Sequence, residues 1–129
     1  MVRFPKISDF KEIMMEIERY YEIQKDQALI GFLGIAAKTR KIIIGKDHIK
    51  SYLKTQKITK KLLILASDIS EGQKKDWIHR GYYAGATILY LCHTPKMRLA
   101  QLIGKTEVSA LAITDERMID GLLAKLDLS

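Results

Sequence analysis

Apolar residues at Ile7, Phe10, Ile13, Met14, Ile17, Tyr20 and Tyr21 recur mostly at steps of three and four, with Lys11, Glu12, Glu16 and Glu18 between them. That period predicts an amphipathic helix, for which Ser8 or Asp9 supplies a cap. A second helix is predicted from about Asp26 to Arg40. Its Leu29, Ile30, Phe32, Leu33, Ile35, Ala36 and Ala37 cover most of its circumference, so it is expected to be buried. Lys41-Ile-Ile-Ile-Gly45 is a short β-branched run closed by glycine, which reads as a buried strand feeding a turn. From Asp47 to about Gln56 the helical period returns. Ile49, Tyr52 and Leu53 fall on one side, while Lys46, Lys50, Lys54 and Lys57 step by four, four and three along the other.

Leu62 to Ala66 is the next apolar run and predicts a strand. Ser70-Glu-Gly-Gln73 has the form of a capping box and opens a helix expected to end near Arg80, at Gly81. Ala86 to Leu91 is a further strand. Thr94-Pro95 places an N-cap residue before a proline and starts a short helix that Gly104 stops. Val108 to Ile113 is the last strand, and Thr114 caps a final helix to about Leu126, with Asp115 and Glu116 where the helix dipole favours acids. Helices and strands alternate, which predicts an α/β fold: a three-layer α/β/α sandwich around a four-stranded mixed sheet, with an extra N-terminal helix. Residues 1–24 are expected to form the helical extension and residues 25–129 the domain proper.

At 129 residues the chain suits one core. Its longest run of apolar residues and glycine, Ala28 to Ala37, is about half the ~20 residues needed to span a bilayer. The N-terminus has no apolar signal core, and Cys92 is the single cysteine, so no internal disulfide forms. A cytoplasmic home is expected. The net charge of +7 is unevenly spread: residues 38–61 carry nine basic groups against Asp47 alone, whereas residues 1–37 and 106–129 are each net acidic. Positive charge so concentrated is the footprint of a phosphate-binding surface. The segment lacks the exposed apolar side that a membrane-lying helix inserts, so nucleic acid is the expected partner and a membrane is not.

Chemistry finds little support. Gly104-Lys105-Thr106 imitates the end of a nucleotide-binding P-loop, but Leu99 stands where the motif needs glycine, and the segment leads into a strand rather than a helix. His48, His79, His93 and Cys92 show no metal-ligand spacing, so no metal is expected. No Gly-x-Ser-x-Gly elbow marks a nucleophile. No cofactor and no enzymatic activity are expected. The sharpest feature is Arg40 to Lys57, where a helix starting directly after a strand and Gly45 offers backbone N–H groups and the positive end of its dipole, with Lys46 and Lys50 beside it.

Several segments in fixed order complete a resemblance: Leu33-Gly-Ile-Ala-Ala-Lys-Thr-Arg-Lys41, Ile42-Ile-Ile-Gly45, Leu62-Leu-Ile-Leu-Ala-Ser-Asp68, Leu99-Ala-Gln-Leu-Ile-Gly-Lys105 and Ala112-Ile-Thr-Asp115. Over roughly Ala28 to Leu126 the chain resembles the kink-turn-binding ribosomal protein superfamily (ribosomal proteins L-seven-Ae and L-thirty-e), most closely its small bacterial YlxQ-like members. The resemblance implies an α/β/α sandwich that binds sharply bent RNA flanked by sheared G·A pairs. The helix after the glycine turn would enter the groove, and the loop before the last strand would cover an extruded nucleotide. By position these elements are Gly45-Lys46-Asp47-His48 and Lys105-Thr106-Glu107-Val108. Archaeal and eukaryotic members have asparagine and glutamate at Asp47 and His48, and lysine at Ser51. An ionised Asp47 only accepts hydrogen bonds, so here Asp47 is read as accepting from a guanine N1 or N2 and His48 as donating to O6 or N7.

The expected RNA-contacting set is therefore Arg40, Lys41, Gly45, Lys46, Asp47, His48, Lys50, Lys54, Lys105, Thr106, Glu107 and Val108. The expected partner is structured RNA, ribosomal or another kink-turn RNA, with the ribosome a further candidate. The competing expectation is a protein-interaction module of the translation machinery docking through the N-terminal helix. That helix also leaves open a monomer or a weak dimer.

Overall fold

The computed structural model describes residues 19–105 and 107–128. In chain order they form β1 (Tyr20–Ile23), α1 (Gln27–Lys38), β2 (Ile42–Ile44), α2 (Lys46–Lys54), β3 (Leu62–Leu65), α3 (Glu71–Ala84), β4 (Thr87–Leu91), α4 (Lys96–Ile103), β5 (Ala110–Ile113) and α5 (Glu116–Lys125). The sheet order is β1-β4-β3-β5-β2, with β1, β4 and β3 parallel and β5 antiparallel to both β3 and β2. Every residue of β3 and β5 is buried, which requires cover on both faces of the sheet. The helices supply it in two groups, α1 packing with α4 and α5, and α2 packing with α3.

Among the described residues the sheet thus has five strands where the sequence predicted four. The added one is β1, whose Tyr20 and Tyr21 close the apolar stripe assigned above to the N-terminal helix; the remainder of that helix lies outside the described residues. Local period cannot separate four residues, three of them aromatic or β-branched, from the end of a helix. Pairing decides it: Tyr20–Ile23 runs in register with Ile88–Leu91, and Ile88 N donates to Arg19 O at 2.7 Å and Cys92 N to Ile23 O at 3.0 Å. The sheet therefore begins before residue 25.

Three local expectations also change. α3 does not stop at Gly81 but runs to Ala84, with Gly85 in the left-handed conformation as its C-cap. Gly81 is there for packing, since a Cβ at this position would lie 2.6 Å from Ile88 Cδ1 in the interior strand β4. α1 is buried along Leu29, Leu33 and Ala36 only, and Ile35 is 60% exposed. Its apolar circumference exceeds its buried stripe. β2 is an edge strand and only half-buried.

Polar ties fix the loops. Thr94, expected to cap α4, instead donates from Oγ1 to Asp26 Oδ2 at 2.5 Å, and the same oxygen accepts from His93 N. The cap of α4 comes from another loop, where Asp68 Oδ1 accepts from Lys96 N at 2.7 Å. Tyr52, buried on α2, accepts from Leu62 N at 3.1 Å and donates to Ile113 O at 2.9 Å, tying α2 to the paired ends of β3 and β5.

Candidate nucleic-acid interface

Antiparallel pairing of β2 with β5, Ile44 opposite Leu111, sets the end of β2 beside the start of β5. The two segments singled out in the sequence, sixty residues apart, therefore meet. Gly45 and Lys46 on one side, and Glu107 and Val108 on the other, line a cleft of about 580 Å³ that is closed by Gln73, Trp77 and Arg80 of α3. Gly45 has φ +92° and ψ +131°, a conformation open in practice to glycine alone. It is also the N-cap of α2 and has no side chain to cap the helix, so the N–H groups of the first turn face outward without an Oγ or carboxylate from that position. Such a terminus attracts phosphate. Asp47 in the first turn weakens the attraction, and Lys46 restores it.

Asp47 and His48 are exposed on that turn and do not line the cleft. Lys105 and Glu107 are exposed, and Glu107 pairs with Lys96 Nζ at 3.5 Å. Val108 is a core residue that anchors the loop; Thr106 lies outside the described residues. The structure does not bring Arg40 and Lys41 to this cleft. They stand at the opposite end of β2, four residues or ~13 Å from Gly45, where Lys41 Nζ approaches Asp115 at 3.9 Å.

The lysine stripe of α2 is likewise divided. Lys46 faces the first cleft, whereas Lys50 and Lys54 line a second, of about 790 Å³, between α2 and α3. None of the three makes an ion pair among the described residues. Arg80 lines both clefts, with its Nε donating to Asp76 Oδ2 at 3.1 Å. Sequence reading missed Gln73, Trp77, Arg80 and Lys96. No local charge run marks them, and only the packing of α3 and α4 around the β5 loop brings them in.

The fold and the cleft together define a small α/β/α domain with a basic helix terminus at one edge of its sheet. This chain belongs to the Ribosomal protein L7Ae/L30e/S12e/Gadd45 family, whose model matches residues 27–122. Among solved structures it is similar to a protein with unknown function from Bacillus halodurans, at 23% identity and a TM-score of 0.65, covering 76% of this chain and 95% of that one. It is also similar to the Giardia lamblia 15.5kD RNA binding protein, at 14% identity and a TM-score of 0.60, covering 81% of this chain and 87% of that one. At these identities the two structures bear on the fold alone. No curated protein matches the sequence.

Proposed function

We propose that this protein binds structured RNA of the kink-turn kind, with the mouth of the first cleft as its docking edge. One observation carries the reading: the β2–β5 register joins the uncapped start of α2 to the loop at residues 105–108. Family membership and the RNA-binding description of the Giardia protein support it. In this reading the first-turn N–H groups of α2 and Lys46 hold phosphates. Asp47 accepts from a guanine N1 or N2 donor and His48 donates to O6 or N7, while the 105–108 loop covers an extruded nucleotide.

Trp77 is the sole tryptophan and lines the cleft, so its fluorescence reports occupancy. Titration against a kink-turn RNA and a matched hairpin lacking the G·A pairs tests the reading. A preference of about tenfold, ~1.4 kcal/mol, is expected. With four to six phosphate contacts, log K should fall against log salt with a slope of about −4 to −5. Equal binding of the two RNAs would remove kink-turn specificity, and no binding to either would sink the reading in favour of a protein partner.

A further inference from the structure

The second cleft, between α2 and α3, lies away from the Gly45 turn and the 105–108 loop. Lys50, Lys54, Lys61, His79, Arg80 and Tyr83 line it, and among the described residues no carboxylate does. Lys61 adds a fixed cation to the lining. Its side chain is buried, and Nζ donates to Leu53 O at 3.0 Å and Ala84 O at 3.5 Å. One ammonium thus joins the C-terminal ends of both helices, where the dipoles would otherwise make the cleft negative. Lys50 and Lys54 stand one turn apart on α2 and can move to meet an anion.

The far wall is aromatic. His79 and Tyr83, also one turn apart, meet edge to face with ring centroids 4.9 Å apart. His79 Nε2 is shielded from solvent and has no hydrogen-bond partner among the described residues. Cations on one wall, a ring pair on the other and a volume of about 790 Å³ suit a phosphate joined to a flat polar ring. Arg80 borders both clefts, and α2 runs from one to the other.

We infer that this cleft is a second RNA site that takes an unpaired nucleotide flanking the structured element. Lys50, Lys54 and Arg80 hold its phosphate, and its base lies against His79 and Tyr83. The inference rests on the RNA-binding reading above and extends the footprint along α2.

The test uses the full chain with a blunt kink-turn RNA and with the same RNA carrying a short single-stranded oligouridine tail, placed at either end in turn. Wild type should bind one tailed RNA about tenfold tighter than the blunt one, ~1.4 kcal/mol. In Lys54→Glu the ratio of the two affinities should fall to about one, whereas Lys125→Glu, the same charge change on α5, should keep it. A 4-thiouridine in the tail should crosslink to the peptide containing His79 and Tyr83. Equal affinity for all RNAs in wild type, or a crosslink elsewhere, overturns the inference; if Lys46→Ala still weakens blunt RNA, the first cleft keeps its role. Equal affinity together with Lys54-dependent binding of an oligoglutamate peptide would assign the cleft to an acidic protein and overturn it too. Failure of every RNA to bind removes both readings.

Discussion

Two single residues hold more of this fold than their side chains suggest. Tyr52 satisfies Leu62 N and Ile113 O in a buried setting, so Tyr52→Phe leaves both backbone groups without that partner. A loss of ~1–3 kcal/mol is expected in denaturant unfolding. A variant as stable as wild type would mean that water or a shifted strand end replaces the hydroxyl. At Gly81 two effects oppose each other: alanine favours a helix by up to ~1 kcal/mol, but its Cβ would press into Ile88, which is fully buried in β4. Overpacking of that kind costs ~1–3 kcal/mol. Gly81→Ala should therefore lower stability on balance, and a raised melting temperature would show that α3 can lift off the sheet.

α2 is the element on which stability and the proposed function meet. Its apolar side, Ile49, Tyr52 and Leu53, is buried, and its cationic side is shared between two clefts. Gly45 sets its starting direction through a conformation that costs a non-glycine residue ~1–3 kcal/mol. Gly45→Ala should lose about that much stability and weaken kink-turn RNA by about tenfold or more, because the first-turn N–H groups are re-aimed. Unchanged RNA affinity in a destabilised variant would place the contact elsewhere. The stripe of lysines was legible in the sequence, but its division was not: helical spacing says which residues share a side, and only the position of α3 says which of them share a cleft.

At the scale of the whole molecule, several groups link folding to alkaline pH. Burial, then Glu22, raises the Tyr20 phenol, and burial also raises those of Tyr52 and Tyr90 above the ordinary 10.0. Burial, followed by Glu22 and Asp26, raises the Cys92 thiol above 9.0. The folded chain therefore keeps these protons to higher pH than the unfolded chain. Their stabilisation is complete below those ordinary values and is lost as pH rises through the raised ones. Melting temperature should hold to about pH 9 and decline above it. A flat profile to about pH 11 would show that these groups titrate freely in the native state.

By itself the sequence determined nine of the ten described elements to within a few residues, the glycine turn before α2 and the concentration of cations at residues 38–61. These are short-range properties: side-chain period, caps, turn chemistry and charge are all read within a window of a few residues. It also supplied the family resemblance, carried by segments in fixed order. Tertiary structure alone decided that Tyr20–Ile23 is a strand, because only β4 gives those residues hydrogen-bond partners. It alone kept α3 running past Gly81, where Ile88 needs the missing Cβ. It alone set Gly45 beside the β5 loop and left Arg40 and Lys41 at the other end of β2. Strand pairing joins residues far apart in the chain, and no local pattern encodes which pairing closes the sheet.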